Sequence, residues 1–190
     1  MEIGKTLYVK DRKEWRAWLK HNHKKEKEIW FVFHKKASSK NSIPYGEALD
    51  EALCFGWIDS TVKKIDEDSR AQRFTPRKKS SQISEMNKER VRKLIKSRRM
   101  TRSGLDAISK FFNPKKDSKI KFVIAKDIAE ALREDLEVWK NFNSFSESYR
   151  RVRISYIEDV RDFDKEMFRK RLAYLIKMTK KNKRYGMLLE

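Results

Sequence analysis

The chain is poor in the residues that punctuate or staple a fold. Its 190 residues include one cysteine, three prolines and five glycines. A lone Cys54 excludes an intrachain disulfide and fits a reducing compartment. So little glycine and proline argues against a low-complexity or disordered chain. Long hydrophobic runs are missing too. The apolar run Ile29 to Phe33 is far too short to cross a bilayer, and MEIGKTLYVK at the N-terminus lacks the apolar core of a signal peptide. These absences predict a soluble, cytoplasmic protein. No glycine-rich phosphate loop, dinucleotide fingerprint or G-x-S-x-G elbow occurs, so no cofactor is expected.

Negative charge is the other deficit. Lys and Arg number 48 against 28 Asp and Glu, a formal net charge of +20. Such a field draws polyanions and speeds encounter with them. High Lys, Arg and Glu content with few glycines also occurs in heat-adapted proteins. The excess is clustered. From Arg77 to Arg102 there are 11 Lys/Arg and 2 Glu, a net of +9, and from Lys165 to Arg184 there are 9 Lys/Arg and 1 Glu, a net of +8. A helix bearing Arg90, Arg92, Lys93, Lys96, Arg98 and Arg99 is suited to tracking a phosphate backbone. No zinc finger, RNP sequence or helix-turn-helix accompanies it. Solubilising faces are the competing reading.

Periodicity divides the chain. Lys5 to Val9 reads as a short strand. Asp11 with Glu14 predicts a capping box, and Trp15, Trp18 and Leu19 share one helical face behind it. Glu28 to His34 is apolar on both faces, as in a central strand covered twice. Pro44 suits the first turn of a helix whose Leu49, Ala52 and Leu53 point inward. Ser84 predicts an N-cap for a helix burying Val91, Leu94 and Ile95. Another helical segment spans Ser103 to Phe112. The polar stretch 113–121 is the expected boundary. Beyond it the pattern is wholly helical: Ile128, Leu132, Leu136 and Trp139 on one face, Ser144 with Glu147 as a capping box, and Asp164 as cap with Phe163 and Phe168 in staple positions. The expectation is an α+β domain over 1–112, with helices packed on a small mixed or antiparallel sheet, and a module of three helices over 122–190.

The stretch from Ala52 to Arg77 gathers the most chemistry. It reads as a helix end, a tight turn at Gly56, a strand from Trp57, a charged reversal at Asp66 to Ser69, and a return strand. Antiparallel pairing would bring Trp57 and Asp59 near Arg73, Thr75 and Arg77. Guanidinium forks bind carboxylate or phosphate, Trp57 or Tyr45 offers a stacking wall, and Asp59 would orient a proton or an amine. The competing reading is an ion pair pinning two strands. Cys54 lies between apolar neighbours and reads as core. His21 and His23 end a helix without a completing ligand set, so no metal site is expected. His34 closes a strand and carries no clear signal.

Several segments together resemble the YdeI/OmpD-associated, or bacteriocin-protection, family: W-x-x-W-L at Trp15 to Leu19, E-I-W-F-V at Glu28 to Val32, A-L-C-F-G-W-I-D at Ala52 to Asp59 and R-F-T-P-R at Arg73 to Arg77. Ser80, Ser84, Asn87, Arg90, Leu94, Ile95, Met100 and Gly104 follow in that family's order, and A-K-D-I-A-E-A-L onward is similar to its helical module. The resemblance implies a stress-related role and supplies no catalytic residues. The leading expectation is a non-catalytic, stress-related binding protein whose basic surface contacts nucleic acid or another polyanion. Alternatives are a small-anion pocket, in a binding protein or an enzyme, at Tyr45, Trp57, Asp59, Arg73, Thr75 and Arg77, and an adaptor for an acidic protein.

Overall fold

A computed structural model describes residues 2–35, 41–117 and 121–186. The chain divides into two compact units, one of residues 1–83 and 90–114, the other of 84–89 and 115–190.

The first unit is built on a four-stranded mixed sheet. Its strands are β1 (Thr6–Leu7), β2 (Ile29–His34), β3 (Trp57–Lys64) and β4 (Ser69–Pro76), in the order β1-β2-β4-β3. β1 and β2 run parallel; the other neighbours are antiparallel. Ile29 to Phe33 are all buried, because β2 is a central strand with both faces covered. Helix α1 (Arg12–Asn22) lies between β1 and β2 in the chain, and α2 (Tyr45–Cys54) follows β2. The Trp15 indole donates to the Ala48 carbonyl at 2.9 Å, tying the two helices together inside the core. Trp15 stacks on Trp18 and meets Phe31 edge-on, while Trp18 meets Trp57 edge-on. These tryptophans are core.

The N-terminal signal of α1 holds with one change. Asp11 accepts from the Lys13 and Glu14 amides, but Glu14 reaches back to the Lys10 amide rather than that of Asp11. Pro44 precedes α2 as its N-cap and leaves its carbonyl free to accept from Glu47 and Ala48. At Gly56, φ of +78° turns the chain from α2 into β3, a conformation that side chains disfavour.

Helix α3 (Glu85–Lys96) starts after Ser84, whose hydroxyl accepts from the Asn87 amide. Helix α4 (Arg102–Ile108) is shorter than the sequence predicts. Thr101 caps it, and Phe111 and Phe112 lie in the turn beyond. Within the expected boundary, Pro114–Asp117 form a single helical turn, α5, and residues 118–120 lie outside the described residues.

The second unit is helical, with α6 (Lys126–Arg133), α7 (Leu136–Ser144), α8 (Glu147–Glu158) and α9 (Lys165–Lys180). Three corrections follow. The face expected to run from Ile128 to Trp139 is broken, because Asp135 caps a new helix and leaves Leu136 84% exposed; among the described residues four helices follow α5, where the sequence predicts three. The cap of α8 is Ser146, whose hydroxyl accepts from Tyr149, whereas Ser144 closes α7. Asp164 does cap α9, but Phe163 is exposed and forms no staple. Ile128, Leu132, Val138, Phe142, Ile154, Ile157 and Leu175 make the core. No helix among the described residues is long and apolar enough to cross a membrane.

Candidate anion site

The hairpin residues are dispersed by register. Trp57 stands opposite Pro76, Ile58 opposite Thr75 and Asp59 opposite Phe74. Residues directly opposite share a face, and successive residues alternate. Asp59 therefore projects with Phe74, while Arg73 and Thr75 take the other face. The Tyr45 hydroxyl donates to Asp59 Oδ2 at 2.5 Å, and burial followed by that bond pushes the phenol above its ordinary range. Arg73 donates to Glu28 Oε2 from Nε at 2.8 Å and from a terminal nitrogen at 2.5 Å, holding the Glu28 carboxyl below its usual range. Arg77 donates to the Ser81 carbonyl at 3.4 Å and to that of Gln82, and burial lowers its pKa. Trp57 is buried, its indole donating to the His23 carbonyl at 3.0 Å. Thr75 is half-buried. A cavity of about 660 Å³ lies at the other end of the hairpin, beside the Asp66 to Ser69 turn. Of the six predicted ligand residues only Tyr45 lines it.

The predicted phosphate-tracking helix also separates into roles. Arg90 is buried, donating to Asp50 at 2.8 Å and to the Gly46 carbonyl at 3.3 Å. Arg92 lies over the Phe112 ring at 5.1 Å. Lys93 and Lys96 are exposed. Arg98 and Arg99 lie past the helix end and belong to a different construction.

That construction is centred on Glu51. It lies on the inward face of α2, between Ala48 and Ala52, and is fully buried. Three arginines converge on its carboxylate. Arg12 Nε and an Arg16 terminal nitrogen donate at 2.6 Å each, and Arg99 donates to the same oxygen as Arg12. Arg12 and Arg16 are one turn apart on α1 and so share a face. Arg99 is delivered by the end of α3. There the Arg98 amide bonds the Ile95 carbonyl, the Arg99 amide bonds that of Leu94, and Arg98 takes φ of +57°. This is a Schellman ending with arginine where glycine is usual. Arg16 further donates to the Arg99 carbonyl at 2.8 Å and lies over the Phe55 ring.

Burial alone would raise the Glu51 carboxyl, but hydrogen bonds from Arg16, Arg12 and Arg99 outweigh it and hold the group below its ordinary range. Nearby, burial and then the Glu51 charge push the Cys54 thiol up to about 11, so it stays protonated at neutral pH. Beside these guanidinium groups lies a cavity of about 510 Å³ lined, among the described residues, by Arg12, Lys13, Arg16, Arg98 and Arg99. A second, of about 470 Å³, shares Lys13 and Arg16 and adds Ala17, Lys20, Phe55 and Thr101. Among the described residues the five lining cations are set against one paired carboxylate, Glu51, an excess of four positive charges.

Sequence reasoning selected Arg98 and Arg99 but missed Arg12, Lys13, Arg16 and Glu51. One signal was available: Glu51 interrupts an otherwise apolar inward stripe on α2, and a buried acid demands cationic partners. His21 and His23 make local bonds, from Nδ1 to the Ala17 and Leu19 carbonyls, and His23 also meets Ser103. No group of three metal-ligating side chains occurs among the described residues.

The helical module, residues 121–182, matches the family described as Bacteriocin-protection, YdeI or OmpD-Associated, the family whose motifs the sequence resembles. Residues 7–107, just over half of the chain, match the family described as a domain of unknown function, DUF8412, and the chain belongs to that family. The motifs from Trp15 to Gly104 thus fall within the second match, not the first. No curated protein and no solved structure matches the chain.

Proposed function

We propose that this is a non-catalytic binding protein for phosphate-bearing polyanions, nucleic acid foremost, anchored at the arginine cavity over Glu51. One observation supports the reading: five cations line a single cavity, and among the described residues one carboxylate, Glu51, pairs with them. Guanidinium forks suit phosphate oxygens bidentately, and a buried carboxylate that fixes their orientation lowers the entropy lost on binding. Lys13 and Arg98 are exposed and make no ion pair among the described residues, so they face an incoming phosphate freely. Lys93 and Lys96 extend the same charge along α3. Absence of a base-reading motif favours contact with the backbone over recognition of sequence.

The test is fluorescence anisotropy with short single- and double-stranded oligonucleotides at two salt concentrations. Binding should weaken steeply with salt through counterion release. The double change Lys13→Glu/Arg98→Glu should weaken binding at low salt and reduce the salt slope by about 2, roughly one for each lost phosphate contact. Absence of binding at low salt, or an affinity indifferent to the double change, would overturn the reading.

A further inference from the structure

The helical unit contains a second construction, independent of the first. Arg153 on α8 is 5% exposed, with its Nε unpartnered. Among the described residues no carboxylate lies within ion-pair distance of it. Its guanidinium is instead surrounded by aromatic rings: Tyr185 at 4.9 Å, Tyr156 at 5.5 Å and Tyr149 at 5.9 Å. A buried cation that meets tyrosine side chains and no carboxylate among the described residues is short of a full counter-charge. Gly186 lies against the guanidinium, where a Cβ would come within 2.8 Å of a terminal nitrogen, so a larger residue would push the arginine aside. Arg153, Tyr156, Lys170, Arg171, Tyr174, Tyr185 and Gly186 together line a cavity of about 410 Å³.

The other charges are accounted for. Lys170 pairs with Glu166 at 2.5 Å. Arg171 lies 3.7 Å over the Tyr156 ring, donates to the Tyr156 carbonyl at 2.5 Å and feels the charge of Asp159, whose carboxyl burial raises. Tyr174 meets Tyr185 edge-on at 4.8 Å and is 47% exposed. The cavity thus has a cationic floor and aromatic walls, and its volume is that of a small-molecule site.

We propose that this cavity binds a small planar acid, its carboxylate or phosphate on Arg153 and its flat body against Tyr156 and Tyr174. An oxyanion supplies the missing counter-charge, and tyrosine faces take an aromatic body in offset or edge-on contact. The site is separate from the Glu51 cavity and stands or falls without it.

Isothermal titration tests it with three probes, inorganic phosphate, phenyl phosphate and benzoate, on the full chain. The Lys13→Glu/Arg98→Glu protein is used so that the arginine cavity contributes little. Phenyl phosphate should bind one to one and about 2- to 10-fold more tightly than inorganic phosphate, the gain expected from one aromatic contact. Comparison with benzoate assigns the preferred acid as phosphate or carboxylate. Arg153→Gln should abolish binding. Because that residue is buried, Tyr174→Ala provides a milder variant, which should remove the advantage of phenyl phosphate while leaving inorganic phosphate unchanged. Failure of both aromatic acids to bind, equal affinity for inorganic and phenyl phosphate, or binding indifferent to Tyr174→Ala would each overturn the proposal.

Discussion

Two charged constructions in the first unit invite comparison, the end of the β3–β4 hairpin and the cluster around Glu51. Both contain arginine, carboxylate and aromatic side chains, spread over two faces at the hairpin and converging at Glu51. At the hairpin each group is satisfied by its own hydrogen-bond partner: Asp59 by the Tyr45 hydroxyl, Arg73 by Glu28, Arg77 by the Ser81 and Gln82 carbonyls. Around Glu51 one carboxylate holds three guanidinium groups, with Lys13 and Arg98 beside them. The first arrangement is closed and the second has charge to spare. What distinguishes a binding site from a fastening is the balance of partners, since paired networks mimic functional clusters in every other respect.

The comparison breaks most readily at Glu51. Glu51→Gln leaves three guanidinium groups around a neutral amide and should destabilise the protein by about 3–5 kcal/mol, the usual result of removing one member of a buried ionic group. Chemical denaturation measures it, and a loss below 1 kcal/mol would mean that the arginines reach solvent on their own. Acid should have a related effect. The Glu51 carboxyl titrates lower in the folded chain than in the unfolded one, so its contribution is present above the unfolded value and disappears as pH falls through the folded one. Stability should therefore drop below about pH 4, the ordinary glutamate range, and drop less steeply in Glu51→Gln. Equal acid sensitivity of the two proteins would contradict this.

At the hairpin the effect should be smaller. Arg73→Gln removes a partly exposed pair and should cost about 1 kcal/mol or less while leaving oligonucleotide affinity intact. A large fall in affinity would move the anion site to the sheet. The smallest effect is expected at Cys54. Its buried, protonated thiol should resist iodoacetamide in the native protein at pH 7.5 and react fully in denaturant. Rapid native labelling would show that the end of α2 opens.

The elements were legible wherever local chemistry decides them. Caps at Asp11, Ser84 and Asp164, the buried strand β2 and the hairpin with its Asp66 reversal all follow from short-range pattern. The hairpin register was not legible. Strand parity puts Asp59 and Arg73 on opposite faces, and a shift of one residue would have united them. The helix break at Asp135 was missed because Ile128, Leu132, Leu136 and Trp139 keep helical spacing across it. The Glu51 cluster draws on α1, α2 and the end of α3, segments distant in the chain, and no local spacing announces such a meeting. Only the polar residue on an apolar stripe pointed to it.

The left-handed turn at Arg98 has an evolutionary consequence. Glycine adopts that conformation without strain, whereas arginine there costs about 1–2 kcal/mol. Arg98→Gly would consequently relax the helix end and remove one cation from the cavity in the same stroke. Selection for heat tolerance alone would favour glycine, and selection for ligand would favour arginine. On the proposed reading of the cavity, the residue found at this one position in related chains should record which pressure each lineage has felt, with the glycine-bearing proteins sturdier and weaker in binding phosphate.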